Sequence, residues 1–184
     1  MPLPPSDAGP KPAVLFIGGF GDSLTRQVVR VVEELRPLLP GYALHYFGHW
    51  QGAAAARLMA ALPKDTPLIL AGHSWGADRA ARLVLANPGR VRRLVTIDPV
   101  GWQAPQLLRR LRGAVAEWIN VQATGGGPWE ASNIVARIGR PYGSAASRSA
   151  HLGLAVPVAH RDFRGMLLAR VPDGRSVLQC IIAG

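Results

Sequence analysis

The stretch Leu68-Ile69-Leu70-Ala71-Gly72-His73-Ser74-Trp75-Gly76-Ala77-Asp78-Arg79 decides how this chain folds. Its first four residues are an uninterrupted apolar run, which predicts a buried strand over residues 68–71. A helix-like segment, residues 77–86, follows the second glycine directly. A serine with glycine two positions away on both sides, between a strand and a helix, is typical of a turn so tight that a β-carbon at either glycine would clash. Such a turn strains the serine and exposes its hydroxyl above the sheet, which is the geometry of a nucleophile elbow.

Strand-like and helix-like segments alternate on both sides of this turn. The predicted strands are residues 13–20, 43–47, 68–71, 93–97 and 118–122. The predicted helices are residues 25–38, 53–62, 77–86, 106–111, 163–170 and 176–182. This alternation predicts an α/β fold, a doubly wound and mostly parallel sheet of about five to six strands with helices on both faces. Only about twenty residues separate the fourth and fifth predicted strands, so no large cap is expected there.

Residues 124–160 show only weak patterning. We interpret them as one long loop with a short extended stretch at residues 133–137. Long loops in compact domains are usually functional, and whether this one forms a lid is left open.

The length and composition of the chain favour one globular domain. The chain has 184 residues and a single cysteine, Cys180, so no internal disulfide can form. We expect a single domain over residues 13–184, preceded by a flexible Pro-rich tail at residues 1–12. No apolar run has the length of a membrane span, and the first residues lack the basic and apolar regions of a secretory signal. We therefore expect a cytoplasmic protein.

The formal net charge is +10, almost all of it from arginine. This charge is compatible with an anionic partner or a membrane surface. The distribution of the basic residues argues against nucleic acid as the partner, because they are scattered outside residues 90–93 and 109–112. Histidine and cysteine spacing offers no metal site, and Gly19-Phe20-Gly21 is not continued as a dinucleotide-binding motif. No metal or cofactor is expected.

Polar and glycine residues follow several of the predicted strands. A Gly-rich segment, residues 18–21, follows the first, Ser74 the third and Asp98 the fourth, while His160 ends the weakly patterned segment. Ligands of α/β sheets bind beyond the carboxyl ends of the strands, so these residues are candidates for one site. Ser74 would be the nucleophile, His160 the base that takes its proton, and Asp98 the acid that orients the imidazole.

An anionic intermediate on the substrate carbonyl would need preorganised N–H donors. The backbone N–H of Trp75 is one candidate, because the turn itself positions it. The second donor should come from the Gly-rich segment, with Phe20 first and Gly19 next. Phe20 is also a candidate for substrate contact, together with Trp102 and Trp129, which follow strand ends and could line an apolar acyl pocket.

Two assignments have alternatives. Glu130 could replace Asp98 as the acid, and His151 could replace His160 as the base. His45 and His49 flank the second strand, and the side chain of His73 should point away from Ser74.

These residues resemble the α/β-hydrolase superfamily, in its small lipase, esterase and thioesterase branch. The likeness rests on Gly72-His73-Ser74-Trp75-Gly76, on Ile17-Gly18-Gly19-Phe20-Gly21 and on the later Asp98 and His160, and it covers residues 13–170. The order Ser, Asp, His is the one that this fold uses. The superfamily usually opens its oxyanion loop with His-Gly, whereas position 18 here is glycine. Its acid more often follows the next strand, but here no carboxylate follows that strand before Glu130.

The resemblance implies hydrolysis of a small-molecule carboxylic ester through an acyl-serine intermediate. An acyl thioesterase using the same residues is the alternative, and the positive charge would suit an acidic carrier or coenzyme A. A different class of function is a catalytically inactive binding module with a basic surface.

Overall fold

The computed structural model describes residues 9–101, 105–127 and 131–182. One sheet is formed by the strands β1 (Ala13–Gly18), β2 (Ala43–Gly48), β3 (Leu68–His73), β4 (Arg93–Ile97), β5 (Glu117–Ala123) and β6 (Leu152–Val156). The spatial order is β2-β1-β3-β4-β5-β6, and every neighbouring pair is parallel. The predicted fold class is therefore confirmed, with six strands.

Helices cover both faces of this sheet. They are α1 (Asp22–Thr25), α2 (Gln27–Leu38), α3 (Gly52–Ala61), α4 (Trp75–Ala86), α5 (Pro105–Ala114), α6 (Ala131–Ile138), α7 (Gly143–Ser149), α8 (Phe163–Leu168) and α9 (Val177–Ile182). A 3-10 turn, His49–Gln51, links β2 to α3. In the part of the chain that the structure describes, no helix is long and apolar enough to cross a membrane.

The core consists of two apolar layers, one on each face of the sheet. Strand β1 divides its side chains between them, with Leu15 and Ile17 in one layer and Val14 and Phe16 in the other. The first layer packs against α3, α4, α5 and α7, and the second against α2, α8 and α9. All residues of β1 and β3 are buried, as expected for central strands of a parallel sheet covered on both faces.

The interpretation of residues 124–160 as one long loop is wrong. This segment contains α6, α7 and β6, and the stretch predicted as extended, residues 133–137, lies inside α6. The β-branched residues of this stretch favour a strand by propensity, but Ile134 and Ile138 are four residues apart and so share one side of the helix. Strand β6 was missed because its sequence, Leu-Gly-Leu-Ala-Val, is short and rich in small residues, and because β5 supplies its pairing.

A second difference concerns the first predicted helix, residues 25–38. The helix breaks at Arg26, whose φ of 53° lies in the left-handed region, so α1 and α2 are separate. Strand β1 likewise ends at Gly18 rather than at Phe20, because the chain turns there toward β3.

A chain of buried polar side chains connects β4, β5 and α7. The Trp118 indole N–H donates to Thr96 Oγ1 at 2.9 Å, and the Thr96 hydroxyl donates to Asn120 Oδ1 at 2.8 Å. The Asn120 amide then donates to Ser147 Oγ on α7 at 2.9 Å. The hydrogen bonds among these buried groups offset the cost of removing the polar residues from water.

Helix α4 lies unusually close to β1 and β3. A β-carbon at Gly76 would lie 2.1 Å from the carbonyl oxygen of Ile17, and one at Gly72 would lie 2.4 Å from the carbonyl oxygen of Gly76. Both obstacles are backbone atoms of packed elements, which cannot move aside. The two glycines of the Gly-x-Ser-x-Gly motif are therefore required for this packing.

We expect Gly76→Ala to lower the free energy of unfolding by about 3 kcal/mol or more, because the added methyl group forces α4 away from β1. Urea denaturation would measure the loss. Gly113→Ala in α5 is the matched control, since a β-carbon there meets no atom within 4 Å. A Gly76→Ala protein as stable as the Gly113→Ala protein would contradict the steric argument.

Candidate active site

Ser74 sits at the sharp turn between β3 and α4. Its φ of 56° and ψ of −125° are strained values for a residue with a side chain. The turn is held by the Ser74 N–H, which donates to the carbonyl of Ile97 at 2.9 Å, and by the Ser74 carbonyl, which accepts from Val100 at 3.2 Å. The serine is thus locked at the carboxyl edge of the sheet, between the ends of β3 and β4.

A hydrogen-bonded chain joins Ser74, His160 and Asp98. The Nε2 atom of His160 lies 2.9 Å from Ser74 Oγ, and its Nδ1 atom lies 2.6 Å from Asp98 Oδ2. All three residues are buried. A carboxylate can only accept hydrogen bonds, so the imidazole proton belongs on Nδ1 and the Nε2 lone pair faces the serine hydroxyl. This is the arrangement in which an imidazole can take a proton from a serine.

Asp98 is positioned by backbone contacts with β5. Its N–H donates to the carbonyl of Val121 at 2.7 Å, and its Oδ1 accepts from the N–H of Ala123 at 3.1 Å. Its φ of 43° lies in the left-handed region, which aspartate tolerates better than most residues. The contacts with β5 maintain this conformation and leave Oδ2 for His160.

The Gly-rich segment passes directly over Ser74. A β-carbon at Gly19 would lie 2.8 Å from Ser74 Cβ, so only glycine allows this approach. Trp75 is the first residue of α4, and the N–H groups of a first helical turn have no partner within the helix. These positions suit the predicted N–H donors at Trp75, Phe20 and Gly19, whose role stays a prediction.

A cavity of about 360 Å³ opens beside Ser74. Phe20 lines it and is 69% exposed, and the other lining residues include Thr25, Gln27, Ser132 and Arg161. Helix α6 thus contributes to the cavity wall through Ser132. Of the predicted substrate contacts, Trp102 and Trp129 lie outside the described residues, as does Glu130, the alternative acid.

The remaining histidines are not at the serine. The Nδ1 atom of His151, the alternative base, accepts from the N–H of Trp118 at 2.9 Å. His45 lies on β2, and His49 lies beside the ring of Phe20 with a centroid distance of 5.9 Å. Burial lowers the pKa of His49, with Arg79 contributing. Of the two candidate bases, the structure brings His160 to Ser74.

Sequence reasoning missed the role of His73. Its Nε2–H donates to the backbone carbonyl of His160 at 2.9 Å, and its ring lies 5.0 Å from the His160 ring and 5.4 Å from the Phe163 ring. Burial, reinforced by the nearby His160, lowers the pKa of His73 to about 4. His73 is therefore neutral near pH 7 and anchors the loop that carries His160. A histidine at the end of a buried strand needs a polar partner, and this was the available signal.

Position 18 is glycine where the superfamily usually has histidine, and this difference also has a structural reason. Asp22 is buried, and its carboxylate accepts from the Tyr46 hydroxyl at 2.6 Å and from the N–H of Val28 in α2 at 2.9 Å. A β-carbon at Gly18 would lie 2.6 Å from Asp22 Oδ2 and 2.7 Å from the Tyr46 hydroxyl. The pair of Asp22 and Tyr46 thus occupies the space that a larger residue would need. Burial and the hydrogen bond to Asp22 raise the pKa of Tyr46.

Within the described ranges, no three histidine, cysteine, aspartate or glutamate side chains group as metal ligands would.

Comparison with known proteins identifies the fold. No family model matches the sequence, and a search of the curated proteins finds no match either. Among solved structures, Est1E from Butyrivibrio proteoclasticus is similar, with a TM-score of 0.58 and 15% identity over 86% of this chain and 85% of that one. A thioesterase domain from the curacin biosynthetic pathway gives a TM-score of 0.53 and 11% identity over 82% and 86% of the two chains. A methylesterase from Arabidopsis gives a TM-score of 0.52 and 8% identity, over 83% of this chain and 92% of that one. The chain has the α/β-hydrolase fold, as the sequence motifs predicted.

We expect the burial of neutral His73 to make stability fall with acid. In the unfolded state His73 binds a proton below its ordinary pKa of 6.5, whereas in the folded state it binds one only below about pH 4. The stabilisation is complete above pH 6.5, and on the order of 3 kcal/mol is lost as the pH falls to 4. Urea denaturation of wild type and His73→Gln across this range would measure it.

Glutamine can keep the hydrogen bond to the His160 carbonyl but does not titrate, so the variant should show a shallower decline. The other histidines are common to both proteins and cancel in the difference. Parallel pH profiles would contradict the assignment.

Proposed function

We propose that this protein is a serine-dependent hydrolase that cleaves carboxylic ester bonds through an acyl-serine intermediate. The observation that carries the proposal is the hydrogen-bonded chain of Ser74, His160 and Asp98, with distances of 2.9 and 2.6 Å. The strained conformation of Ser74 and the buried, ordered setting of all three residues support it, because preorganised geometry is what this chemistry requires.

The reaction follows from the roles of these atoms. Ser74 Oγ attacks the ester carbonyl carbon while its proton moves to His160 Nε2. The bond to the alcohol then breaks, and the alcohol leaves with that proton. Water, deprotonated by His160, attacks the acyl-serine, releases the acid and restores the serine hydroxyl. Asp98 stays ionised and stabilises the imidazolium, and the N–H groups of Phe20 and Trp75 would bind the oxyanion.

The neutral state of His73 assists this cycle. His160 becomes positively charged twice in each turnover, with the ring of His73 5.0 Å away. A charged neighbour at this distance in a buried site would oppose the imidazolium. Because the pKa of His73 is lowered to about 4, it contributes no positive charge at neutral pH.

The cavity beside Ser74 favours a small or slender acyl group. Its volume of about 360 Å³ and the exposed ring of Phe20 offer an apolar surface of limited size. We therefore place lipid-like or short-chain acyl esters first among the substrates.

Wild type should hydrolyse p-nitrophenyl esters and react with a fluorophosphonate probe, and Ser74→Ala should do neither. We expect the substitution to lower kcat by about 10⁴-fold or more, because the nucleophile is lost. A panel from acetate to palmitate, read at 405 nm, would also size the acyl pocket. Absence of turnover and labelling in folded wild-type protein would refute the proposal and favour the binding-module alternative.

Asp98→Asn should lower kcat by about 10³–10⁴-fold with little change in KM, because the amide no longer holds the productive imidazole tautomer. The same ester assay measures this effect. Asp162→Asn is the matched control, since Asp162 caps α8 by accepting from Gly165 and takes no part in the chain of Ser74, His160 and Asp98. Nearly full activity in Asp98→Asn would indicate that Glu130, and not Asp98, is the acid.

Thioester hydrolysis is a second candidate. A groove of about 630 Å³ adjoins the cavity, with Gln27 and Arg161 lining both. Arg30 and Arg164 also line the groove, and Glu34 in its wall pairs with Arg164. Asp162 lines the groove as well, so arginines outnumber carboxylates there by three to two. These arginines suit the phosphates of an acyl-coenzyme A or of an acyl carrier. Adding acetyl-coenzyme A and acetyl-pantetheine to the panel would separate the candidates, because only phosphate recognition favours the first over the second.

A further inference from the structure

The exposed apolar side chains of this protein are concentrated around one opening. Seven large apolar residues are exposed in the described part of the chain: Phe20, Leu24, Leu38, Trp50, Ile134, Ile138 and Leu168. Two of these, Leu38 and Leu168, are the last residues of α2 and α8. The other five all follow the carboxyl end of a strand, namely β1, β2 or β5. Because all strands are parallel, these five lie at the same edge of the sheet as Ser74, and we call them the apolar rim.

Contacts connect the apolar rim with the cavity beside Ser74. Phe20 lines this cavity together with Thr25 of α1 and Ser132 of α6, the helices that carry Leu24 and the two isoleucines. On the other side, the ring of His49 lies 5.9 Å from Phe20 and 5.1 Å from Trp50. The apolar rim therefore borders the opening through which a substrate would reach the serine.

The degree of exposure is what needs explanation. Leu24 is 87% exposed, Ile138 73% and Phe20 69%, on a protein that buries most of its other large apolar side chains. Isolated exposed apolar residues are ordinary, but several around one opening mark a surface that meets another apolar phase.

The exposed charges of the described residues at this edge are mostly positive. Arg26 follows β1, Arg137 and Arg140 follow β5, and Arg161 follows β6, and all four are exposed. The nearby carboxylates Asp22, Asp78 and Asp98 are buried. Glu33 pairs with Arg26, and Asp162 is engaged in capping α8.

This combination matches an anionic lipid surface. Apolar side chains enter the region between headgroups and acyl chains, while arginines bind the lipid phosphates. We propose that the apolar rim docks this protein on an anionic phospholipid bilayer, with the opening beside Ser74 facing the lipid. Docking is a property of the surface and does not depend on ester hydrolysis.

Vesicle cosedimentation of Ser74→Ala tests this directly, because the variant cannot consume an ester in the vesicle. We expect affinity at least about tenfold higher for phosphatidylcholine vesicles with about 30% phosphatidylglycerol than for pure phosphatidylcholine, and a clear loss of binding at about 0.5 M salt. Equal binding to both vesicles, or no binding to either, would overturn the proposal. Ester hydrolysis by wild type is measured separately, so failure of docking and failure of the proposed function are distinguishable.

The apolar contribution is tested with two double variants in the Ser74→Ala background. Leu24→Ser with Ile138→Ser should weaken binding by about tenfold or more, because each change removes apolar surface from the rim. Leu38→Ser with Leu168→Ser makes the same chemical change at exposed sites elsewhere and should stay within about twofold of the parent.

Neither pair belongs to the candidate active site, so both should leave the p-nitrophenyl acetate activity of wild type within about twofold, which also verifies folding. Equal losses of binding in the two pairs would overturn the assignment to the rim. Light scattering adds a further test: a dimer in the parent that Leu24→Ser with Ile138→Ser converts to a monomer would show that a second copy covers the rim, and would overturn the proposal as well.

Discussion

The close approach of α4 to β1 and β3 is the constraint on which the candidate site depends. It is possible only because Gly72 and Gly76 lack β-carbons, since the nearest atoms belong to immobile backbone. The turn that this packing creates forces Ser74 to a φ of 56° and directs its hydroxyl toward His160. The N–H groups of Ala77 and Asp78 in α4 donate to the backbone carbonyl of Ser74. Packing, strain and the orientation of the serine thus have one steric cause.

The burial of carboxylates near the carboxyl edge of the sheet is a second feature of the site. Three carboxylates near the carboxyl edge, Asp22, Asp78 and Asp98, are buried, and each accepts hydrogen bonds from the protein. Asp22 orders the segment after β1, Asp78 binds the hydroxyl of Tyr142, and Asp98 holds His160. These three carboxylates are buried, whereas the exposed charges of the described residues at the same edge are mostly those of arginine.

Two neighbouring histidines with different environments complete the site. His73 is buried without a carboxylate partner, so it is neutral and serves as a hydrogen-bond donor to the backbone of His160. His160 has Asp98 on one nitrogen and Ser74 on the other. Burial lowers the pKa of His73 and keeps positive charge off its ring, while the ring of His160 is held between a carboxylate and a hydroxyl. Identical side chains 5.0 Å apart can therefore have different roles.

The α/β architecture and the nucleophile Ser74 could be predicted from the sequence, because buried strands, helices and a turn that tolerates only glycine are local patterns. For the acid and the base the sequence left two candidates each, Asp98 or Glu130 and His160 or His151. It could not assign α6, α7 or β6, whose residues are ambiguous in isolation. The pairing of β6 with β5 and the packing of α7 on these two strands are tertiary contacts. The sequence also could not find the contact of His73 with His160, or that Gly18 makes room for Asp22 and Tyr46. His73 and His160 are 87 residues apart, and Tyr46 is 24 residues from Asp22, so only the tertiary structure brings these side chains together.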